Sequence, residues 1–239
     1  MSLELIWKKN GNNNLQIQIV PSTLLINTEM QEKIDDHWKD FMNNMNSKGI
    51  KAWNGRKYRV ESIDENIVSL SESDFKTVTL LRDPEYLSIR NVAVVMSLVI
   101  TSDNYLVFGK RKNVGVYEGI VAWIAGGVEP IENSTNLLFE NMQIELKEEF
   151  GLNEVDYDLN LDLVYKSYGQ GLYGFHFEAY TKLSKDQVLE RFKTAEHKEE
   201  NSELFFYENN EEGINKLKNE KDMLPEVVEF FNKFYEIKY

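Results

Sequence analysis

Residues 91–101 read Asn-Val-Ala-Val-Val-Met-Ser-Leu-Val-Ile-Thr, an apolar run with no charge in it. A strand with one wet face alternates apolar and polar residues, whereas this one is apolar at nearly every position, so both of its faces must be covered. Its nine apolar-rich residues, 92–100, fall well short of the roughly 20 a helix needs to cross a bilayer. The chain must therefore build a sheet around this segment and cover it from both sides.

Elements for such a sheet recur along the sequence. Residues 102–104 (Ser-Asp-Asn) form a turn, and 105–109 return as a second strand ending in Lys110-Arg111-Lys112. Residues 120–124, 161–168, 174–181 and 203–207 are further strands. Helices are expected at 29–46, where Met30, Ile34, Trp38, Phe41, Met42 and Met45 recur at spacings of three and four, at 137–150 and at 184–191. Two more close the chain, the second opening at Pro225. Earlier in the chain, 12–14 is a turn, 15–20 a half-buried strand, and 56–61, 67–70 and 76–81 short strands. Asp83-Pro84-Glu85 marks a joint, since proline disfavours helix in the preceding residue. The reading is an α+β protein with two parts, a smaller α/β extension at 1–88 and a main domain at 89–239 with a mixed sheet between helices.

The 239 residues carry 27 Lys and Arg against 40 Asp and Glu, a formal charge of −13, which excludes an overall basic footprint for nucleic acid and disfavours an anionic membrane. No cysteine is present, so thiolate catalysis, disulfides and cysteine-held zinc are excluded. With no apolar leader after the first basic residues, the cytosol is the expected compartment. The three histidines, His37, His176 and His197, lie far apart, so a metal here must be held by oxygen.

The chemistry concentrates in the 137–150 helix. At about 100° per residue, with Glu145 as zero, Glu149 lies at about +40° and Glu148 at about −60°, while Phe139, Met142, Leu146 and Phe150 fall at about 60–140°. Three carboxylates thus share a face that borders the buried stripe. Like charges at these spacings repel, and the C-terminal end of a helix disfavours anions. Either the face is simply solvated, or a hard divalent cation offsets the repulsion.

Gly126-Gly127, followed by Glu145-Leu-x-Glu148-Glu149-x-Gly151-Leu152, resembles the box of the Nudix hydrolases, G-x5-E-x7-R-E-U-x-E-E-x-G-U. The flanks Tyr105–Arg111 and Gly119-x-x-x-Trp123-x-x-Gly126-Gly127 resemble the strand–loop–strand leading into it. Ile144 stands where the box has arginine, and three extra residues separate Gly127 from Glu145, so the box's first glutamate has no fixed counterpart: counting back from Glu145 reaches Asn136, and Glu132 fits only if the loop before it is one residue short and the insertion lies after it. Leu183-Ser-x-x-Gln187, Phe192, Ala195-Glu196-His197 and Glu203-x-Phe-Phe206 resemble the tail of the UDP-glucose and UDP-galactose diphosphatase branch.

The resemblance implies a Nudix-type α/β/α sandwich that hydrolyses a nucleoside diphosphate linked to another moiety, here a UDP-sugar to UMP and sugar 1-phosphate. It implies Mg²⁺ or Mn²⁺ held by Glu145, Glu148, Glu149 and the Gly127 carbonyl, with the same glutamates as catalytic groups. Arg111, Glu132, Glu196 and His197 would contact substrate. The missing arginine and the insertion leave open a degenerate module that binds a nucleotide without cleaving it. The extension carries no chemical motif, and base recognition and homodimer formation are both open for it. Gly169-x-Gly171-x-x-Gly174 fits a dinucleotide fingerprint only by pattern, because a strand follows where a helix is required. His176 is read as structural, and Trp7, Trp38 and Trp53 as core.

Overall fold

The computed structural model describes residues 2–11, 13–112 and 117–237. Asn12, read above as part of a turn, lies outside them. In chain order the elements are β1 (Leu3–Lys8), β2 (Gln16–Ile19), α1 (Thr28–Ser47), β3 (Arg56–Asp64), β4 (Ile67–Asp74), α2 (Phe75–Leu80), α3 (Leu87–Arg90), β5 (Val92–Ile100), β6 (Tyr105–Arg111), β7 (Val121–Ala122), β8 (Ile124–Gly127), α4 (Leu137–Phe150), β9 (Tyr157–Ser167), β10 (Leu172–Thr181), α5 (Lys185–Phe192), β11 (Asn201–Glu208), α6 (Glu211–Lys218) and α7 (Pro225–Lys233).

The apolar run is β5, the hub of the sheet. Along one edge it pairs in parallel with β10, from Val92 opposite Leu172 to Ile100 opposite Tyr180. Its other edge is divided among three antiparallel partners. Arg59 of β3 stands opposite Val92, β8 pairs from Val94–Gly127 to Ser97–Ile124, and β6 takes Val99 and Ile100. Both β5 edges are thereby used, and its faces belong to different cores. Ala93, Val95 and Val99 pack with Met142, Leu146 and Phe150 of α4. Val92, Met96, Leu98 and Ile100 pack with Val227, Phe230 and Phe231 of α7. The result is the expected α+β arrangement, a mixed sheet with helices on both faces.

The sheet runs on through the first 88 residues. Its path is β1-β9-β10-β5-β3-β4-β2, so N-terminal strands lie at both ends of it. The boundary drawn near residue 88 falls inside α3, and strand pairing crosses it on both sides. One element differs in kind from its reading. Residues 76–81 carry the β-branched residues of a strand, yet Phe75–Leu80 is a helix. The Asp74 side chain accepts the Thr77 N–H at 2.8 Å and caps it. Burial of Thr77, Val78, Thr79 and Leu80 then outweighs local propensity. The glycine-rich segment at 169–174 is the turn and first residues of the β9–β10 hairpin, with no helix after it. Among the described residues no helix is long and apolar enough to cross a membrane.

Candidate active site

Position begins with the pairing of β8 to β5, which sets Gly126 and Gly127 beside Val95 and Val94 in mid-sheet. The chain then leaves the sheet and is pinned to α4. Glu129 N–H donates to Asn141 Oδ1 at 2.8 Å, and Asn141 Nδ2 donates to the Glu129 carbonyl at 3.0 Å. This clasp lays α4 across the end of β8, with Glu145 on top of Gly126. A Cβ at position 126 would overlap the Glu145 carboxylate, so the close approach requires glycine. Gly151 ends α4 in the left-handed region, at φ 70°, as its sequence position predicts.

The three glutamates differ in surroundings. Glu149 is buried, and its Oε2 accepts a 2.8 Å hydrogen bond from Asn201 Nδ2, at the start of β11. Burial pushes its carboxyl up to about 6, with Arg111 opposing and Glu200 adding to the rise. Burial also raises Glu145 well above the ordinary carboxylate range, and the Glu149 charge raises it further. Glu148 is half-buried and lies 3.3 Å from His197 Nδ1, while the His197 N–H donates to the Glu148 carbonyl at 2.8 Å. Glu200 is raised by burial, against the pull of Arg111 and His197. Carboxylates from α4 and from the turn before β11 therefore crowd one place and resist being charged together.

They line a cavity of about 410 Å³. Glu145, Glu148, Glu149, His197 and Glu200 lie along it, as do Lys57, Arg82, Arg90 and Arg111. Trp123, buried, contributes to its apolar lining, and Trp53 stands at it 73% exposed. Trp53 is thus not a core residue, unlike Trp7, because its loop before β3 holds it at the cavity rather than under the sheet.

Five of the residues inferred for the site come together: Arg111, Glu145, Glu148, Glu149 and His197. Gly127 lines the same cavity. Glu132 does not join them, because it is exposed in the turn before α4. Glu196 is exposed as well, whereas Glu200, four residues further along the same acidic loop, lines the cavity. Ile144 is 43% exposed on α4 and offers no polar group to brace the glutamates. Asn201 and Arg111 act on Glu149 instead. Lys57, Arg82 and Asn201 were not singled out in the sequence. They sit in no motif, and only the register of strands distant in sequence brings them here.

Among the described residues no group of three or more acidic or histidine side chains is arranged as a ready-made metal cage. The donor set nevertheless suits Mg²⁺ or Mn²⁺. Mg²⁺ is bound by one or two carboxylates together with water and phosphate oxygens, rather than by a complete protein cage. Glu145 and Glu149, one turn apart on α4 and both raised in pKa, form such a pair of hard oxygen donors.

No family model and no curated protein matches the chain. Solved structures do. DR0079 from Deinococcus radiodurans aligns over 76% of this chain and 99% of its own, at a TM-score of 0.50 and 14% identity. The two share a fold. A mutT/nudix family protein from Listeria innocua covers 60% of this chain and 90% of its own, at a TM-score of 0.43 and 14% identity. The MutT protein from Methanosarcina mazei Go1 covers 60% and 91%, at 0.40 and 17% identity.

Proposed function

We propose that this chain is a Nudix-type, divalent-metal-dependent hydrolase that cleaves the diphosphate of a nucleoside diphosphate linked to another moiety. The favoured substrate is a UDP-sugar, giving UMP and sugar 1-phosphate. The observation that carries the reading is the meeting of Glu145 and Glu149 at a cavity that also holds Arg111. Two carboxylates raised by burial, Glu145 further by the charge of Glu149, are a costly arrangement unless a cation or a proton is exchanged there. The box-like sequence around them and the tail after β10 support the same reading.

In this reading Glu145, Glu148, Glu149 and the Gly127 carbonyl would hold Mg²⁺ or Mn²⁺, which supplies charge neutralisation at the diphosphate and a more acidic water. The remaining work falls to the chain itself. Arg111 presents a planar fork of N–H donors to phosphate oxygens. A glutamate of the cluster takes the proton of the attacking water as its oxygen bonds to phosphorus. The bond from that phosphorus to the bridging oxygen breaks, and the bridging oxygen leaves with the other phosphate. Asn201 keeps Glu149 in place by its hydrogen bond.

The test is a panel of nucleoside diphosphate derivatives with Mg²⁺ or Mn²⁺, run on the wild type and on Glu149→Gln. Turnover of at least one substrate, falling by about a hundredfold or more in the variant, is expected. Equal turnover by both proteins removes the carboxylate cluster from the mechanism. Tight binding of a nucleotide by calorimetry with no product over hours replaces the hydrolase with a binding module.

A further inference from the structure

The cavity wall also holds an arginine that no described residue pairs with through its side chain. Arg82 follows α2, in the N-terminal segment, and is half-buried in the cavity lining. Among the described residues its guanidinium donates no side-chain hydrogen bond and forms no ion pair. The charged or titratable neighbours that bear on it are Tyr117 and Arg111, neither of them a carboxylate. Arg111 is fixed by no ion pair among the described residues and its Nε is buried without a hydrogen-bond partner, although the charges of Glu149 and Glu200 do bear on it. Arg90 shows what a structural arginine in this wall looks like. Its Nε donates to the Val78 carbonyl at 2.9 Å and its Nη1 to the Gln170 carbonyl.

Two guanidinium groups are thus held near each other, partly out of water, and Arg82 has no carboxylate bearing on it although the net charge of the protein is −13. Burying a cation without a partner is unfavourable, and placing a second beside it adds to the penalty. Each guanidinium offers parallel N–H donors matched to phosphate oxygens. We propose that Arg82 and Arg111 together form a diphosphate clamp that works without metal, so that the N-terminal segment supplies part of the binding site. Assigning the anion to a diphosphate rests on the hydrolase reading. The existence of an anion site does not.

The experiment is calorimetric titration of inorganic pyrophosphate into the full chain in EDTA. Wild type is expected to bind, Arg82→Gln to bind about tenfold or more weakly, and Arg82→Lys to fall between, because lysine keeps the charge and loses the fork. Arg56→Gln makes the same change of net charge at an exposed arginine paired with Glu72 that does not line the cavity, and is expected to match wild type. Undiminished affinity in Arg82→Gln, or no metal-free binding by wild type, overturns the clamp. The substrate panel separates the two readings. Arg82-dependent pyrophosphate binding without turnover of any substrate leaves the clamp and removes the hydrolase. Turnover with an unchanged KM in Arg82→Gln leaves the hydrolase and removes the clamp.

Discussion

A methyl group at residue 126 would overlap the Glu145 carboxylate, and this gives the acid cluster a probe that alters no acidic side chain. Gly126→Ala must push Glu145 aside, because the backbone beneath is fixed by pairing with Val95 of β5. If Glu145 acts where it lies, displacement by about an ångström is expected to lower kcat by about a hundredfold. The thermal midpoint should move little, since crowding of Glu145 against Glu149 is relieved at the same time. Steady-state kinetics with a melting curve checks both, and a kcat close to wild type would mean that the seat of Glu145 is immaterial. At this scale much was legible beforehand. The wheel placed Glu145, Glu148 and Glu149 beside the buried stripe, and they do line the cavity. Glu132 and Glu196 are exposed and do not line the cavity, and an irregular loop has no period from which to read the direction of a side chain. Asn201 escaped notice because a lone asparagine at a strand start carries no local mark of its partner, Glu149, which is 52 residues away.

Among the elements, α2 shows capping chemistry prevailing over propensity. Its Lys-Thr-Val-Thr-Leu-Leu sequence suits a strand, yet the Asp74 carboxylate takes the Thr77 N–H and also accepts from Asn54 Nδ2 at 2.9 Å. Asp74→Ala is expected to destabilise the fold by about 1–2 kcal/mol, and Asp74→Asn by much less, because asparagine caps nearly as well. Urea unfolding of the two variants measures this, and equal stability of Asp74→Ala and wild type would show that burial alone holds the helix. Because α2 leads directly into Arg82, fraying should also weaken pyrophosphate binding in Asp74→Ala more than in Asp74→Asn. Where periodicity and caps agree, as in α1 and α4, sequence and structure coincide closely. Asn27 caps α1 through the Met30 N–H at 2.8 Å, and Gly151 closes α4.

For the molecule as a whole, the apolar run at 92–100 announced a strand covered on both faces, and β5 is that strand. What the run could not announce was which strands would share its second edge. That register brings Lys57 and Arg82 of the N-terminal segment to the cavity that the glutamates of α4 line. Closing such a sheet leaves some ionisable groups inside, and Glu226 at the start of α7 is one that the proposed chemistry does not employ. It is 2% exposed, accepts a hydrogen bond from Gln170 Nε2 in the β9–β10 turn, and lies near the hydroxyls of Tyr165 and Ser167. Burial pushes its carboxyl from an ordinary value of 4.5 up to about 7, with Tyr165, Gln170 and Ser167 beside it pulling partly the other way. The folded state therefore takes up this proton below about pH 7, and the unfolded chain only below about pH 4.5. Between those values the native protein holds more protons, so stability from this group is greatest at the acid end and declines as pH rises towards 7. The gap between the two values corresponds to roughly 3 kcal/mol at most. Glu226→Gln cannot ionise and keeps the shape and a hydrogen-bonding head. It should resemble wild type at pH 5 and be the more stable protein at pH 8, as read from urea midpoints at the two pH values. A difference between the two proteins that is the same at both would mean that Glu226 stays in one protonation state throughout, and that the strap between α7 and the β9–β10 turn does not titrate in this range.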